Sequence, residues 1–310
     1  MRYKIFIINL ARSPERYQQA LAQLAAWPDL PVERIDAADG RTLSEAEINQ
    51  YYSAALNQRQ HHKILKPGEK GAFISHIRCW QQIVEQQLDF ALILEDDFLV
   101  DGDLPALLNA IAELPQPWHL LKLAMPNKQQ KIIAGKQEPA FSLVHFKKNP
   151  ISAVAQAVSL DGAKLLLARE LPFGRPVDVS MQYSWQLGFQ ALGMWPLIFK
   201  PDLGFESTIS GKQNEQVNRR VFYWRRLEFS LANLWHNLRH YGLVAQSNRT
   251  HPALQLGRVT GPDTLFFRYF YAVLAGYLKA LCCQLLLIKR QYFGGFGARF
   301  KALHRILPAC

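Results

Sequence analysis

Residues 90–97 read "FALILEDD": five apolar residues without a break, then three carboxylates in a row. A strand with one wet face alternates apolar with polar, so a continuous apolar run marks a strand covered on both faces, as in α/β sheets. Glu95, Asp96 and Asp97 stand where that strand emerges, at its carboxyl end. In extended backbone alternate side chains share a face, so Glu95 and Asp97 point one way and Asp96 the other. Like charges roughly 6 Å apart repel by about 0.7 kcal/mol in water, and several-fold more at an effective dielectric near 20. A divalent cation removes that repulsion. Mn²⁺ or Mg²⁺ takes oxygen ligands, commonly one or two carboxylates plus the phosphates of a substrate. The competing reading of the three acids is a capped loop.

The flanking sequence extends the α/β pattern. "KIFIINL" (4–10) is a β-branched run, and Ser13-Pro14-Glu15-Arg16 gives an N-cap with proline at the first helical position. "VERIDAADG" (32–40) reads as a strand entering a turn. "GAFISHIRCWQQIVEQQ" (71–87) has helical spacing at Phe73, Ile77, Trp80 and Val84. Residues 104–114 read as a helix and "WHLLKLA" (118–124) as a strand. "SAVAQAVSL" (152–160) is a strand, followed by a helix capped by Asp161. Residues 179–192 read as a helix and "MWPLIFKP" (194–201) as a strand. Alternating strands and helices predict an open, mostly parallel sheet with helices on both faces.

The chain has 310 residues, 49% of them hydrophobic, which excludes a disordered protein and leaves ample core. Cys79, Cys282, Cys283 and Cys310 show neither disulfide nor zinc spacing, so a reducing compartment is expected. The seven-residue apolar stretch near Met1 is expected to be a first strand rather than a secretory leader. The net charge of +11 is unevenly placed. Residues 212–310 carry 15 Lys/Arg against three acids (Glu215, Glu228, Asp263), whereas residues 1–211 carry 21 against 22. Two regions are therefore expected: a neutral body, 1–211, and a basic helical region, 212–310. The asymmetry points to an anionic partner, membrane lipid or nucleic acid, or else to a solvated basic face. Residues 215–240 read as a helix with an apolar stripe at Val217, Val221, Trp224, Leu227, Leu231, Leu234 and Leu238. In residues 265–293 the charges leave no uncharged span of about 20 residues. Arg268, Lys279 and Arg290 recur every 11 residues, which returns each to within about 20° on a helix. That pattern predicts a helix lying in a membrane interface, or a core helix with snorkelling cations.

Further polar residues cluster near the strand ends. Asn9 ends the first strand and Arg12 and Arg16 enter the next helix, which suits a phosphate or nucleotide, or else is an ordinary capped helix with exposed arginines. Neither a G-x-G-x-x-G nor a P-loop motif occurs, which disfavours dinucleotide enzymes and P-loop ATPases. Gly71 permits close backbone approach. His76, by itself, reads as a hydrogen-bonded helix residue. No nucleic-acid motif is present, so a DNA or RNA partner is disfavoured.

"INLARSPERY", "GEKGAFISHIRCW" and "ALILEDD", in this order, resemble glycosyltransferase family 25, the lipopolysaccharide/lipooligosaccharide biosynthesis family that also includes collagen galactosyltransferases. The resemblance spans roughly residues 3–210. It implies a GT-A-like fold with UDP-galactose as the commonest donor. Asn9, Leu10, Arg12 and Arg16 then fall at the nucleotide, and Asp36, Gly71, Ser75, His76, Glu95 and Asp96 complete the expected nucleotide-sugar set. Asp97 and Glu95 are the expected ligands of Mn²⁺ or Mg²⁺. In an inverting transfer one carboxylate takes the acceptor proton. Asp178 is the first candidate, unless it is a helix N-cap, with Glu206 second and Asp96 beside the sugar. The expected reaction moves galactose onto a lipooligosaccharide acceptor. The expected location is cytoplasmic, peripheral to the inner face of the membrane through the basic region. The alternatives are another UDP-sugar (glucose or N-acetylhexosamine) or a non-catalytic basic surface binder.

Overall fold

The computed structural model describes residues 1–115, 117–124, 131–135, 140–188, 191–202, 204 and 219–241. The chain begins with β1 (Tyr3–Asn9), α1 (Pro14–Gln23), β2 (Val32–Asp36), α2 (Glu45–Asn49), α3 (Ala54–Gln60) and the long α4 (Pro67–Glu85). Next come β3 (Phe90–Glu95), β4 (Phe98–Val100), α5 (Leu104–Ala112), β5 (Leu120–Lys122), β6 (Ile132–Gly135), β7 (Ser142–Phe146) and β8 (Ala155–Ser159). Then follow α6 (Leu160–Arg169), α7 (Val177–Ser180), α8 (Ser184–Leu187), β9 (Ala191–Trp195), β10 (Phe199–Pro201) and α9 (Arg219–Tyr241).

Eight strands form one sheet in the order β2-β1-β3-β8-β5-β9-β7-β6, and β4 pairs with β10 apart from it. β1 is parallel to β2 and β3, and β5 is parallel to β9. β8 runs against both its neighbours, and β7 against both of its own. Six of the eight strands therefore share one direction, which makes the mostly parallel α/β sheet that the alternating strands and helices predict.

Both faces of this sheet are covered, for the reason the continuous apolar runs gave. Ile5, Ile7, Leu92 and Leu94 pack under α1 and α5 with Ala20, Leu24, Leu104, Leu108 and Ile111. The intervening Phe6, Ile8, Ala91 and Ile93 pack on the other side with Phe73, Ile77 and Trp80 of α4 and Leu166 of α6. Each buried Leu, Ile or Phe among them contributes about 1.5–3 kcal/mol.

Local expectations were corrected in four places. α4 starts at Pro67, where the Glu69 carboxylate accepts the Lys66 N–H at 2.7 Å, and its buried face closes with Ile83 rather than Val84. The cap of α6 is Ser159, whose Oγ accepts the Gly162 N–H at 3.0 Å, and Asp161 lies in the first turn. The helix expected over 179–192 is broken into short turns, and α8 ends at Gly188, whose φ of +79° suits glycine. The strand expected over 194–201 divides around Pro196, which has no N–H to give a ladder.

α9 also differs in which face it buries. Phe229 is the buried anchor, 5.0 Å from the Tyr183 ring and 5.2 Å from the Trp185 ring, with the Lys148 ammonium 4.9 Å over it. Asn233 and Asn237 both donate to Lys147 O at 2.8 Å. Of the expected apolar stripe, Trp224 is 67% and Leu231 42% exposed, with Trp235 beside them at 58%; Val221, Leu227, Leu234 and Leu238 are partly buried, and Val217 lies outside the described residues. A polar-aromatic face fits the body because the body offers the Lys147 carbonyl to the two amides and the Lys148 ammonium to the Phe229 ring. The first of the chain's two compact units is Met1–Gln255. Among the described residues no helix is long and apolar enough to cross a membrane. The interfacial helix expected over 265–293 and the candidate Glu206 lie outside the described residues.

Candidate active site

β2, β1 and β3 lie side by side and parallel, so Asp36, Asn9 and Glu95 share one sheet edge at the strands' carboxyl ends. That is the edge where open α/β sheets bind ligands. A hollow of about 780 Å³, lined by Met1, Arg2, Lys4 and Gln86, lies at the opposite end and contains none of the candidate residues.

Asn9 is buried and its amide is fully used. Nδ2 donates to Ser13 O (2.9 Å) and to Asp96 Oδ2 (2.7 Å), while Oδ1 accepts from Arg34 Nε (3.1 Å). Asn9 thus holds Asp96 and the turn into α1, in which Leu10 O accepts the Ser13 N–H at 2.9 Å. Arg16 reaches from α1 to pair with Asp96 and, at 3.6 Å, with Asp97 Oδ2. Arg12 pairs with Asp39. Both guanidiniums expected at a phosphate face carboxylates. Asp36 is exposed and paired with Arg34 at 3.0 Å.

Asp97 sits in the turn between β3 and β4, its carbonyl accepting the Asp202 N–H at 2.6 Å. Its Oδ1 is buried and has no hydrogen-bond partner. Burial first, then the charge of Glu95, pushes its pKa up to about 7, against the opposing pull of Arg16. Burial also holds Asp96 above its ordinary value despite its bonds to Asn9 and Arg16. A buried carboxylate oxygen without a partner is costly and calls for a cation. Among the described residues no group of three or more His, Cys, Asp or Glu is placed to hold a metal. Two carboxylates, Asp97 and Glu95, suffice for Mg²⁺ or Mn²⁺ when a diphosphate supplies the remaining ligands, so the residues present fit the ion.

α4 carries the next group. A Cβ on Gly71 would lie 2.3 Å from Ala38 O, so Gly71 serves the close approach of the helix to the Ala38–Gly40 loop. Ser75 Oγ donates to Gly71 O (2.8 Å) and accepts the Ala38 N–H (2.9 Å), pinning the same loop. Gly71 has no side chain to offer the acidic edge, and the Ser75 hydroxyl is turned to this loop instead. His76 does face that edge: fully buried, it places Nε2 3.4 Å from Glu95 Oε1 and Nδ1 3.2 Å from Gln156 Nε2.

Asp178 lies in the first turn of α7, whose N-cap is Pro176, so it is not the cap. Its Oδ1 accepts the Val179 N–H at 2.8 Å. Burial raises its pKa; the Val179 bond and the Lys122 ammonium oppose the rise, and Glu95 and Glu69 add to it. Asp178, Lys122 and Glu95 therefore share one electrostatic neighbourhood. The sequence reading missed Lys122, Gln156 and Arg34. Lys122 and Gln156 are single polar residues inside apolar strands and are fully buried, which was the available signal, since a polar group on a twice-covered strand must have a partner.

A family model described as "Glycosyltransferase family 25 (LPS biosynthesis protein)" matches residues 2–181. A Drosophila pseudoobscura pseudoobscura "Glycosyltransferase 25 family member" is 34% identical over 218 residues, covering 64% of this chain and 34% of that protein. Mouse "Procollagen galactosyltransferase 2" is 26% identical over 186 residues, covering 56% and 29%. Mouse "Inactive glycosyltransferase 25 family member 3" is 28% identical over 222 residues, covering 64% and 36%. The chain thus spans about a third of the length of the curated relatives it matches. A solved glycosyltransferase involved in glycosylation of the PBCV-1 major capsid is 9% identical with a TM-score of 0.33, covering 74% of this chain and all of that one. With the family match running from the first strand through the helix that carries Asp178, the chain belongs to glycosyltransferase family 25.

Proposed function

We propose that the chain transfers a hexosyl group, galactose from UDP-galactose, to a lipooligosaccharide or lipopolysaccharide acceptor, with inversion. UDP-glucose or a UDP-N-acetylhexosamine is the alternative donor. The observation that carries this reading is the unpartnered, buried Asp97 oxygen within the carboxylate cluster at the strand ends. Asp97 and Glu95 would hold Mn²⁺ or Mg²⁺. Such an ion, when bound, acts as a Lewis acid on the diphosphate and stabilises its growing charge.

The chain's own residues supply the rest. Asp178 accepts the proton of the acceptor hydroxyl as that oxygen bonds to the anomeric carbon and the bond to the diphosphate breaks. A raised pKa makes its carboxylate a better proton acceptor than an ordinary aspartate. Asn9 and Arg16 keep Asp96 fixed beside the donor. The exposed Trp224, Leu231 and Trp235, on a helix that also exposes Arg219, Arg226 and Arg239, support an anionic membrane as the surface on which a glycolipid acceptor is met.

The test is UDP release from a panel of UDP-sugars by the full chain, with Mn²⁺ and with EDTA. Turnover that needs the ion and is lost in Asp97→Ala is expected. Turnover undiminished by EDTA would remove the metal from the mechanism, and no turnover with any donor would defeat the catalytic reading.

A further inference from the structure

Ile93, Gln156 and Lys122 are direct cross-strand neighbours in β3, β8 and β5. Glu95 is two residues beyond Ile93 and so shares that face of the sheet, the face covered by α4 with His76. We propose that Lys122 and Gln156 are positioning residues that fix the tautomer of His76 and thereby aim Glu95 at the donor. This rests on the reading of Glu95 as a ligand in the proposed reaction.

The argument is one of donors and acceptors. The Lys122 ammonium, with no exposure to solvent, donates to Ser152 O at 2.6 Å and faces Gln156 Oε1 at 3.5 Å. An ammonium can only donate, so the amide must turn its oxygen to Lys122 and its NH₂ to His76. That NH₂ can only donate in turn, so Nδ1 of His76, 3.2 Å away, is the nitrogen with the lone pair. In a neutral imidazole the proton is then on Nε2, which lies 3.4 Å from Glu95 Oε1. Oε1 is held by this proton and Oε2 is left for a ligand. The opposite tautomer would set a lone pair against the carboxylate and push it away. One buried cation thus sets the orientation of a carboxylate two hydrogen bonds beyond the amide it touches. Partners of this kind behind a ligand commonly change metal affinity 10–100-fold when removed.

The test is a long-range ¹H–¹⁵N correlation spectrum of the full chain labelled at histidine, with His76 assigned by the signal lost in His76→Gln. The expected result is a protonated Nε2 and a bare Nδ1. Lys122→Met should let the amide turn and give a mixture, and Gln156→Glu, which can only accept from His76, should move the proton to Nδ1. Circular dichroism checks that both variants fold, and either one alone suffices for the comparison. A proton on Nδ1 in the unmodified protein, or a tautomer unchanged in the folded variants, overturns the proposal. Mn²⁺ affinity in the presence of uridine diphosphate, read by electron paramagnetic resonance, should weaken about 10–100-fold in Gln156→Met; an unchanged affinity overturns the aiming role. No Mn²⁺ binding to the unmodified protein with uridine diphosphate present would instead sink the metal reading of the proposed function, while the expected tautomer would still support the relay.

Discussion

Asn9 Nδ2 lies 2.7 Å from Asp96 Oδ2, a bond that ties the end of the first strand to an acidic turn 87 residues later. Asn9→Ala leaves Asp96, Ser13 O and Arg34 Nε each short of a partner, and unfolding in urea should show a loss of about 1–3 kcal/mol. Asn9→Asp is the sharper variant, because it sets another carboxylate against Asp96. It should cost more than Asn9→Ala near neutral pH, with the difference shrinking as the acids protonate. Equal losses at every pH would show that charge at this bond is irrelevant.

Stability should depend on pH through Asp97. Its folded pKa is raised from 3.8 to about 7, so the folded state holds this proton more tightly than the unfolded state. The penalty is absent below the unfolded value, grows as pH rises from about 4 to about 7, and then levels off at no more than a few kcal/mol. Asp96, Asp178 and Glu170 are raised by burial too and act with the same sign. Asp97→Asn should reduce the slope, and saturating Mn²⁺ should flatten it further. Thermal melts across that range check both.

His61 acts with the opposite sign. Burial, and the charges of His62, Lys63 and Arg175, lower its pKa from 6.5 to about 3. Its contribution is full above about pH 6.5 and is lost as pH falls toward 3, because the unfolded chain takes up the proton first. His61→Phe should therefore weaken the acid side of the melting profile. An unchanged acid limb would show His61 to be solvated.

Gly71→Ala should be destabilising whatever happens to turnover. The added methyl meets the Ala38 carbonyl and the Gly40 backbone, which cannot rotate aside, and a cost of about 1–3 kcal/mol or more is expected. An unchanged melting temperature would show the α4–loop contact to be looser than drawn.

The two faces of α9 should respond differently. Phe229→Ala removes the buried anchor and should cost about 3–5 kcal/mol. Trp224→Glu with Trp235→Glu should leave the melting temperature within about 1 °C and weaken flotation with anionic vesicles several-fold. Flotation equal to that of the unmodified chain would defeat the membrane proposal.

The sheet was legible because residues 5–8 of β1 and 90–94 of β3 are apolar without interruption, which burial on both faces explains. The acidic turn was legible because three adjacent carboxylates need a reason. The reversed direction of β8 was not, since a strand covered on both faces carries the same residues either way round. Nor was the buried side of α9, where the body recruits Phe229 and two asparagines while Trp224 and Leu231 of the apolar stripe stay exposed. The partners of Arg12, Arg16 and Asn9 were not legible: the acids that they meet lie 27 to 87 positions away, beyond what local spacing can reveal.

Arg16 gives the acidic edge a resident counter-ion of its own. Under the proposed function, a divalent ion at this edge would find its attraction partly cancelled by that guanidinium. The edge would then hold the ion weakly by itself and firmly only with the two further negative charges of a diphosphate, so that ion and nucleotide would load as a joint event.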